Sequence, residues 1–302
     1  MDDCMVEQHW LINERSGNGD GARLLRALSG VRGVTASPIN FERLKDQIDS
    51  VPDTHDIVVA GGDGTFSAVL GESSVVERSV ACVPLGTAND LTRELGISER
   101  LRNAPHQTIP DILAPLDHKE FAMWEVIFGD NRRAFANYVS IGYEGAVVSD
   151  FAEWRAKNRW SGRMVNRLAY AIFGTRHSLT SIGGLSVKKD DEPPIECAPT
   201  TGLIITNIRS HLGLGLSNAE SSPHDDLIEC ISVPYVLGFV SMIAASSGLL
   251  SPPAVLARGH SITVSGIPSG TPIQIDGESY PPVSDGEIRI RLKHFVKLRL
   301  AH

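Results

Sequence analysis

The chain has 302 residues, 42% hydrophobic and 21% charged, a balance that suits two soluble globular domains. A formal charge of −8 leaves no domain-wide basic field to displace counterions from a phosphate backbone, which excludes nucleic acid as a partner. The cysteines, Cys4, Cys82, Cys197 and Cys230, lie far apart with no C-x-x-C pair, so zinc is not expected and a reducing cytoplasm fits best.

MDDCMVEQHWLIN begins acidic and lacks the basic-then-apolar order of a secretory leader. HWLIN then reads as a strand, GARLLRALSG as a helix, HDIVVAGG as a strand, FSAVLGESS as a helix and VACVPLG as a strand. That alternation predicts a parallel sheet with helices on its faces. From about residue 119 the texture changes, and FAMWEVIFG, RRAFANYVSIG, TGLIITNI, LIECISV, HSITVSG, TPIQIDG, EIRIRL and VKLRL read as strands of an antiparallel sandwich. The expected fold is therefore α/β plus all-β. KKDDEPP reads as a solvated hairpin tip, and YVLGFVSMIAASSG as a buried or interfacial helix too interrupted by glycine and serine to span a membrane.

The chemistry concentrates in glycine-rich loops. Gly61, Gly62 and Gly64 follow the apolar strand that ends at Ala60, and Thr65 is the expected N-cap of the next helix. Bare backbone at a helix N-terminus is an anion site, because unpaired N–H groups and the helix dipole point at the same turn. No lysine follows these glycines, so the loop is not a Walker A, and no acidic residue ends VACVPLG, so it makes a poor dinucleotide fingerprint. Asp63 inside a phosphate-binding turn would repel its ligand unless a divalent cation stood between them, which implies magnesium. PLGTANDLTRELG, with Gly86, Thr87, Asn89 and Asp90, repeats the pattern after the next strand, and LINERSGNG supplies a third loop with Asn13, Ser16 and Gly17. Three such loops converge on the carboxyl edge of the sheet, where open α/β folds bind ligands.

GGDGT at Gly61 to Thr65, with PLGTANDLTRELG about twenty residues on, resembles the catalytic domain shared by diacylglycerol kinases, sphingosine and ceramide kinases and the soluble bacterial lipid kinases. The resemblance implies an α/β nucleotide domain over residues 1–118 with a returning C-terminal segment near 293–302, and a β-sandwich domain over 119–292, with ATP and lipid between them. It also implies that Asn13, Ser16, Gly17, Gly61, Gly62, Asp63, Gly64, Thr65, Gly86, Thr87, Asn89 and Asp90 line the nucleotide, with Thr35 a weaker candidate, and that Asp63 and Asp90 serve catalytic magnesium. Glu14 stands where the family usually has proline, at a cost in turn rigidity but not in ligands.

By local pattern PIQIDGESY is an ordinary D-G hairpin turn, whereas the resemblance makes it the source of the proton acceptor, Glu278 first and Asp276 second. PHDDLIECISV resembles a stretch that holds a structural magnesium in bacterial members. Asp225 and the Leu227 carbonyl remain as ligands, Asp226 replaces a glycine, and Glu229 replaces the last aspartate. Glu144 likewise stands for an aspartate in VSIGYEGAVV.

In FAEWRAKNRWSGRMVNRLAYAIFG, Arg155, Arg159, Arg163 and Arg167 recur every four residues beside Trp154 and Trp160, a helical stripe suited either to a lipid headgroup surface or to plain solvent. The expected function is an ATP- and magnesium-dependent lipid kinase, cytoplasmic or peripheral at a membrane, with oligomeric state open. The alternatives are an NAD kinase-like phosphotransferase, against which PLGTAND and the DGE turn speak, and a non-catalytic nucleotide or lipid binder.

Overall fold

The computed structural model describes residues 7–85, 89–158, 163–177, 181–211, 215–216, 220–235, 244, 251, 253–284 and 286–301. The chain divides into two compact units, Met1–Met123 with Lys293–His302, and Trp124–Leu292.

In the first unit, strands β1 (Gln8–Ile12), β2 (Val34–Pro38), β3 (Asp56–Gly61) and β4 (Ser79–Pro84) pair in the order β2-β1-β3-β4, every pair parallel. Helices α1 (Asp20–Leu28), α2 (Leu44–Asp49), α3 (Asp63–Leu70) and α4 (Asp90–Glu94) fall between or after them. The strand Glu287–Arg299 ends in this unit, with Lys297 and Leu298 adding in parallel to Ser79 and Val80 of β4. His294 donates from Nε2 to the Leu70 carbonyl at 2.8 Å, and Arg299 forms a close ion pair with Asp56. The apolar runs of β1, β3 and β4 are buried throughout their centres, as strands covered on both faces must be.

β2 and α2 are absent from the sequence-based expectation. The residues of VTASP are partly or fully exposed and, among the described residues, the strand pairs only with β1, so it is an edge strand without the apolar run that marks its neighbours. EIRIRL and VKLRL, expected as two strands, form one strand of 13 residues. Nothing between them supplies turn chemistry, since Lys293 and His294 continue the β pattern.

The second unit is largely antiparallel. One sheet runs Val255–Gly259, Ile228–Val233, Gly202–Thr206, Tyr138–Gly142, Ile273–Ile275 and Glu278–Tyr280 in spatial order. The early part of Glu287–Arg299 pairs with Ser261–Ser265, which pairs with Ser186–Lys189, and Ser186–Lys189 and Ile195–Glu196 flank the expected hairpin tip. RRAFANYVSIG gives two strands, Asn131–Phe135 and Tyr138–Gly142, that belong to different sheets. Tyr138, Tyr143, Val147, Ile204, Ile231 and Val233 form a core cluster against which Phe173 packs.

Arg155 lies in helix Tyr143–Lys157, while Arg163 and Arg167 belong to helix Arg163–Arg176. The four-residue stripe is therefore not carried by one described helix. Arg159, Trp160 and nearly all of YVLGFVSMIAASSG lie outside the described residues. Trp154 stacks on Phe151 with ring centroids 6.0 Å apart, and the Arg155 guanidinium sits 5.9 Å from the same phenyl ring. Among the described residues no helix is long and apolar enough to cross a membrane.

Candidate active site

The loops after β1, β3 and β4 meet at the carboxyl edge of the first unit's sheet, tied together by direct bonds. Asn13 donates from Nδ2 to Thr65 Oγ1 at 2.8 Å, and its Oδ1 accepts the Arg15 N–H at 3.1 Å. The Leu85 N–H donates to the Gly61 carbonyl at 2.7 Å, joining the second loop to the third. Gly17, with φ of +65°, lies where a Cβ would collide with the Leu85 carbonyl, so the first loop closes on the third only with glycine there.

Helix α3 starts at Asp63, one turn earlier than expected. Gly62 is the N-cap, and Thr65 is an interior residue of the first turn. Thr65 is buried and holds Asn13 instead of capping. Asp63 faces across to the third loop, where its two oxygens accept the N–H groups of Asp90 and Leu91, each at 3.1 Å. The carboxylate thus caps α4, a favourable pairing of negative charge with a helix N-terminus. Asn89 precedes that helix in the left-handed region with φ of +52°, which asparagine tolerates. Asp90 is buried, with Arg93 Nη1 3.5 Å from its Oδ1.

Asp63 and Asp90 are therefore adjacent, and a carboxylate has about four acceptor sites, so capping a helix and ligating a cation are compatible. Gly86 and Thr87 lie outside the described residues. Thr35 does not join this edge. It pairs in register with His9, and β2 runs three more residues to Pro38, about 10 Å at 3.3 Å per residue.

The second unit carries the DGE turn. Ile275 pairs with Glu278, leaving Asp276 and Gly277 as a two-residue hairpin loop with φ of +48° and +81°, the type I′ geometry that Asp-Gly favours. Asp276 is buried and accepts three backbone N–H groups, from Ala136 at 2.8 Å and from Asn137 and Tyr138 at 2.9 Å each. That receiving segment is fixed in turn by Asn207, which donates from Nδ2 to the Ala136 carbonyl at 2.7 Å and accepts the Trp124 indole N–H at 2.9 Å.

Glu278 differs in kind. Its side chain makes no hydrogen bond or ion pair among the described residues, and it is exposed by surface area. Its neighbours nonetheless remove enough water to raise its carboxyl above the ordinary glutamate value.

Gln274 connects this turn to a buried polar chain of which the sequence singled out Glu144 alone, not Gln274, Ser140 or His211. Its Oε1 accepts the Gly277 N–H at 2.7 Å and its Nε2 donates to Ser140 Oγ at 2.8 Å. The Ser140 hydroxyl donates in turn to Glu144. His211 Nε2 stands 3.3 Å from Glu144 Oε1, an ion-pair distance without hydrogen-bond alignment, and its ring lies 4.5 Å from that of Tyr138. Gln274, Ser140, Glu144 and His211 are all buried. Alternation along TPIQIDG places Gln274 on the opposite face from Ile273 and Ile275, but nothing in the sequence announces its partners.

The proposed structural metal stretch does not fit an ion. Asp225 Oδ1 accepts the Leu227 N–H at 3.0 Å, and its Oδ2 accepts from Arg258 Nη2 at 3.1 Å. Glu229 is fully buried, with Oε2 taking the Ser221 hydroxyl at 2.8 Å and Oε1 lying 2.9 Å from Arg258 Nε. Asp226 pairs with His260 at 3.2 Å and has no positive φ, so the glycine it replaces is not required for backbone reasons. Among the described residues no group of three or more acidic, histidine or cysteine side chains is placed to hold a metal.

A parallel sheet with three fused loops thus shares one chain with a largely antiparallel unit bearing an Asp-Gly-Glu turn. Residues 8–120 match the model of the diacylglycerol kinase catalytic domain, and residues 134–279 match that of the diacylglycerol kinase accessory domain. The chain belongs to this family. It is 30% identical over 262 residues to diacylglycerol kinase 2 of Arabidopsis thaliana, covering 74% of this chain and 36% of that protein. Against diacylglycerol kinase theta of Homo sapiens the identity is 27% over 262 residues, covering 74% of this chain and 27% of the relative. The chain thus spans about a third of the length of these relatives. A crystal structure of a diacylglycerol kinase from Bacillus anthracis str. Sterne shares the fold, with a TM-score of 0.66 at 17% identity, covering 98% of this chain and 97% of that one.

Proposed function

We propose that the chain is a lipid kinase that transfers the γ-phosphate of ATP to the hydroxyl of a diacylglycerol-like or sphingoid-like acceptor. The observation that supports this most is the division of labour in the DGE turn, where Asp276 is consumed by three backbone donors and Glu278 is left unbonded with a raised carboxyl. Phosphoryl transfer to an alcohol needs a base within reach of the hydroxyl, and a base poised closer to neutral than an ordinary carboxylate serves better. Glu278 takes the acceptor proton as the oxygen attacks phosphorus in line and ADP leaves. Asp276 positions the turn.

In the first unit, Asn13, Ser16, Gly17, Gly61, Gly62, Gly64, Thr65 and Asn89 hold the nucleotide through bare or amide-rich backbone, with Gly86 and Thr87 completing the set. Asp63 and Asp90 would hold magnesium, which supplies positive charge against the phosphate oxygens when bound. Orientation and the proton path come from the chain itself. Contact with an anionic membrane surface, where made, would run through the sequence stripe of Arg155, Arg159, Arg163 and Arg167 with Trp154 and Trp160.

Incubation with labelled ATP, magnesium and a total lipid extract, followed by mass identification of labelled species, tests the proposal. A phosphorylated lipid is expected. Transfer to no lipid, with NADP formed from NAD instead, would replace this reading by the NAD kinase one.

A further inference from the structure

The acidic stretch Asp225–Glu229 holds three carboxylates within five residues in a protein that is already acidic overall. Like charges at this spacing repel, and Glu229 is buried, so a counter-charge is required. The fold supplies it through strand register. Glu229 and Arg258 are direct cross-strand partners in the antiparallel pair Ile228–Val233 with Val255–Gly259. Directly opposed residues project to the same face, which delivers the guanidinium to the buried carboxylate without any loop having to close.

Arginine suits this position better than a point charge would. Its Nε lies 2.9 Å from Glu229 and its Nη2 lies 3.1 Å from Asp225, so one planar group spans both acids. Glu229 Oε2 accepts the Ser221 hydroxyl, Asp225 Oδ1 accepts the Leu227 N–H and Asp226 pairs with His260, while Glu229 Oε1 meets the guanidinium at ion-pair distance without hydrogen-bond alignment. An ion placed between Asp225 and Glu229 would have to displace the guanidinium.

We infer that Arg258 is the resident cation of this cluster, standing where the resemblance implies a structural magnesium, so that the second unit folds without a divalent metal there. This stands apart from the phosphotransfer reading. One consequence is that the divalent-metal dependence of any activity would report on the nucleotide ion alone.

The test uses the full chain without nucleotide. Wild type is expected to show no manganese anomalous density between Asp225 and Glu229 in crystals soaked with manganese chloride. Arg258→Met is expected to melt about 5 °C or more below wild type, since a buried carboxylate has lost its partner. Arg258→Lys, which keeps the charge and loses the fork, is expected to melt between the two and serves if the methionine variant does not fold. Manganese density at this place in wild type, or either variant melting with wild type, would overturn the inference.

Discussion

Asp276→Asn separates scaffold from chemistry in the DGE turn. Asparagine tolerates the left-handed φ of +48° at this position, so the turn itself is preserved. The change acts on acceptors. The carboxylate takes N–H bonds on both oxygens, one on Oδ2 from Ala136 and two on Oδ1 from Asn137 and Tyr138. An amide has a single oxygen, so one donor must face an NH2 group, losing a charge-assisted bond worth about 1.5–3 kcal/mol. The other two bonds become neutral, giving up about 0.5–1 kcal/mol each. The total is about 2.5–5 kcal/mol, which for a unit of this size lowers Tm by roughly 10 °C. Thermal unfolding followed by calorimetry reads it. Glu278→Gln is the control, because among the described residues Glu278 has no bonded partner to lose. It should melt within about 1 °C of wild type yet turn over about 10²–10⁴-fold more slowly. If Asp276→Asn melted with wild type and still lost turnover, Asp276 would be the base and the reasoning above would fail.

Asp63→Ala removes the acceptor that caps α4, and we expect a loss of about 1 kcal/mol in stability together with loss of turnover beyond detection in the lipid assay. Gln274→Leu releases the Gly277 N–H and the Ser140 hydroxyl; kcat should fall several-fold with the KM for ATP unchanged, because the nucleotide loops belong to the first unit. Desolvation raises the Glu278 carboxyl, so the acidic limb of the kcat/KM profile should lie above the ordinary glutamate range and disappear in Glu278→Gln. His9 and His294 are both depressed, chiefly by burial, so the folded state resists protonating them. Their contribution to stability is full above the unfolded histidine value of about 6.5 and is lost as pH falls below it, so Tm should decline from pH 7 to 5.

What the sequence made visible follows from the range of the interactions involved. The α/β half was legible because β1, β3 and β4 are continuous apolar runs and their loops are punctuated by glycine, both local signals. The edge strand β2 carried neither. The Asp-Gly hairpin was read both as a turn and as a catalytic element, and it is a type I′ turn whose aspartate is anchored to residues some 140 positions earlier in the chain. No window of neighbours contains that anchor.

The same limit accounts for Thr65 and Asp63. Each is a plausible N-cap by composition, and only the fused loops decide that Thr65 binds Asn13 while Asp63 caps a different helix. It accounts above all for Arg258. Read alone, LARG is an unremarkable strand end, and the acids at 225–229 look like vacant metal ligands. Strand pairing sets Arg258 opposite Glu229, and a covalently supplied cation costs no metal affinity and cannot be chelated away. A substitution that looks like decay of a metal site is then equally a gain of independence from metal, and the two differ in which residue must be mutated to unfold the unit.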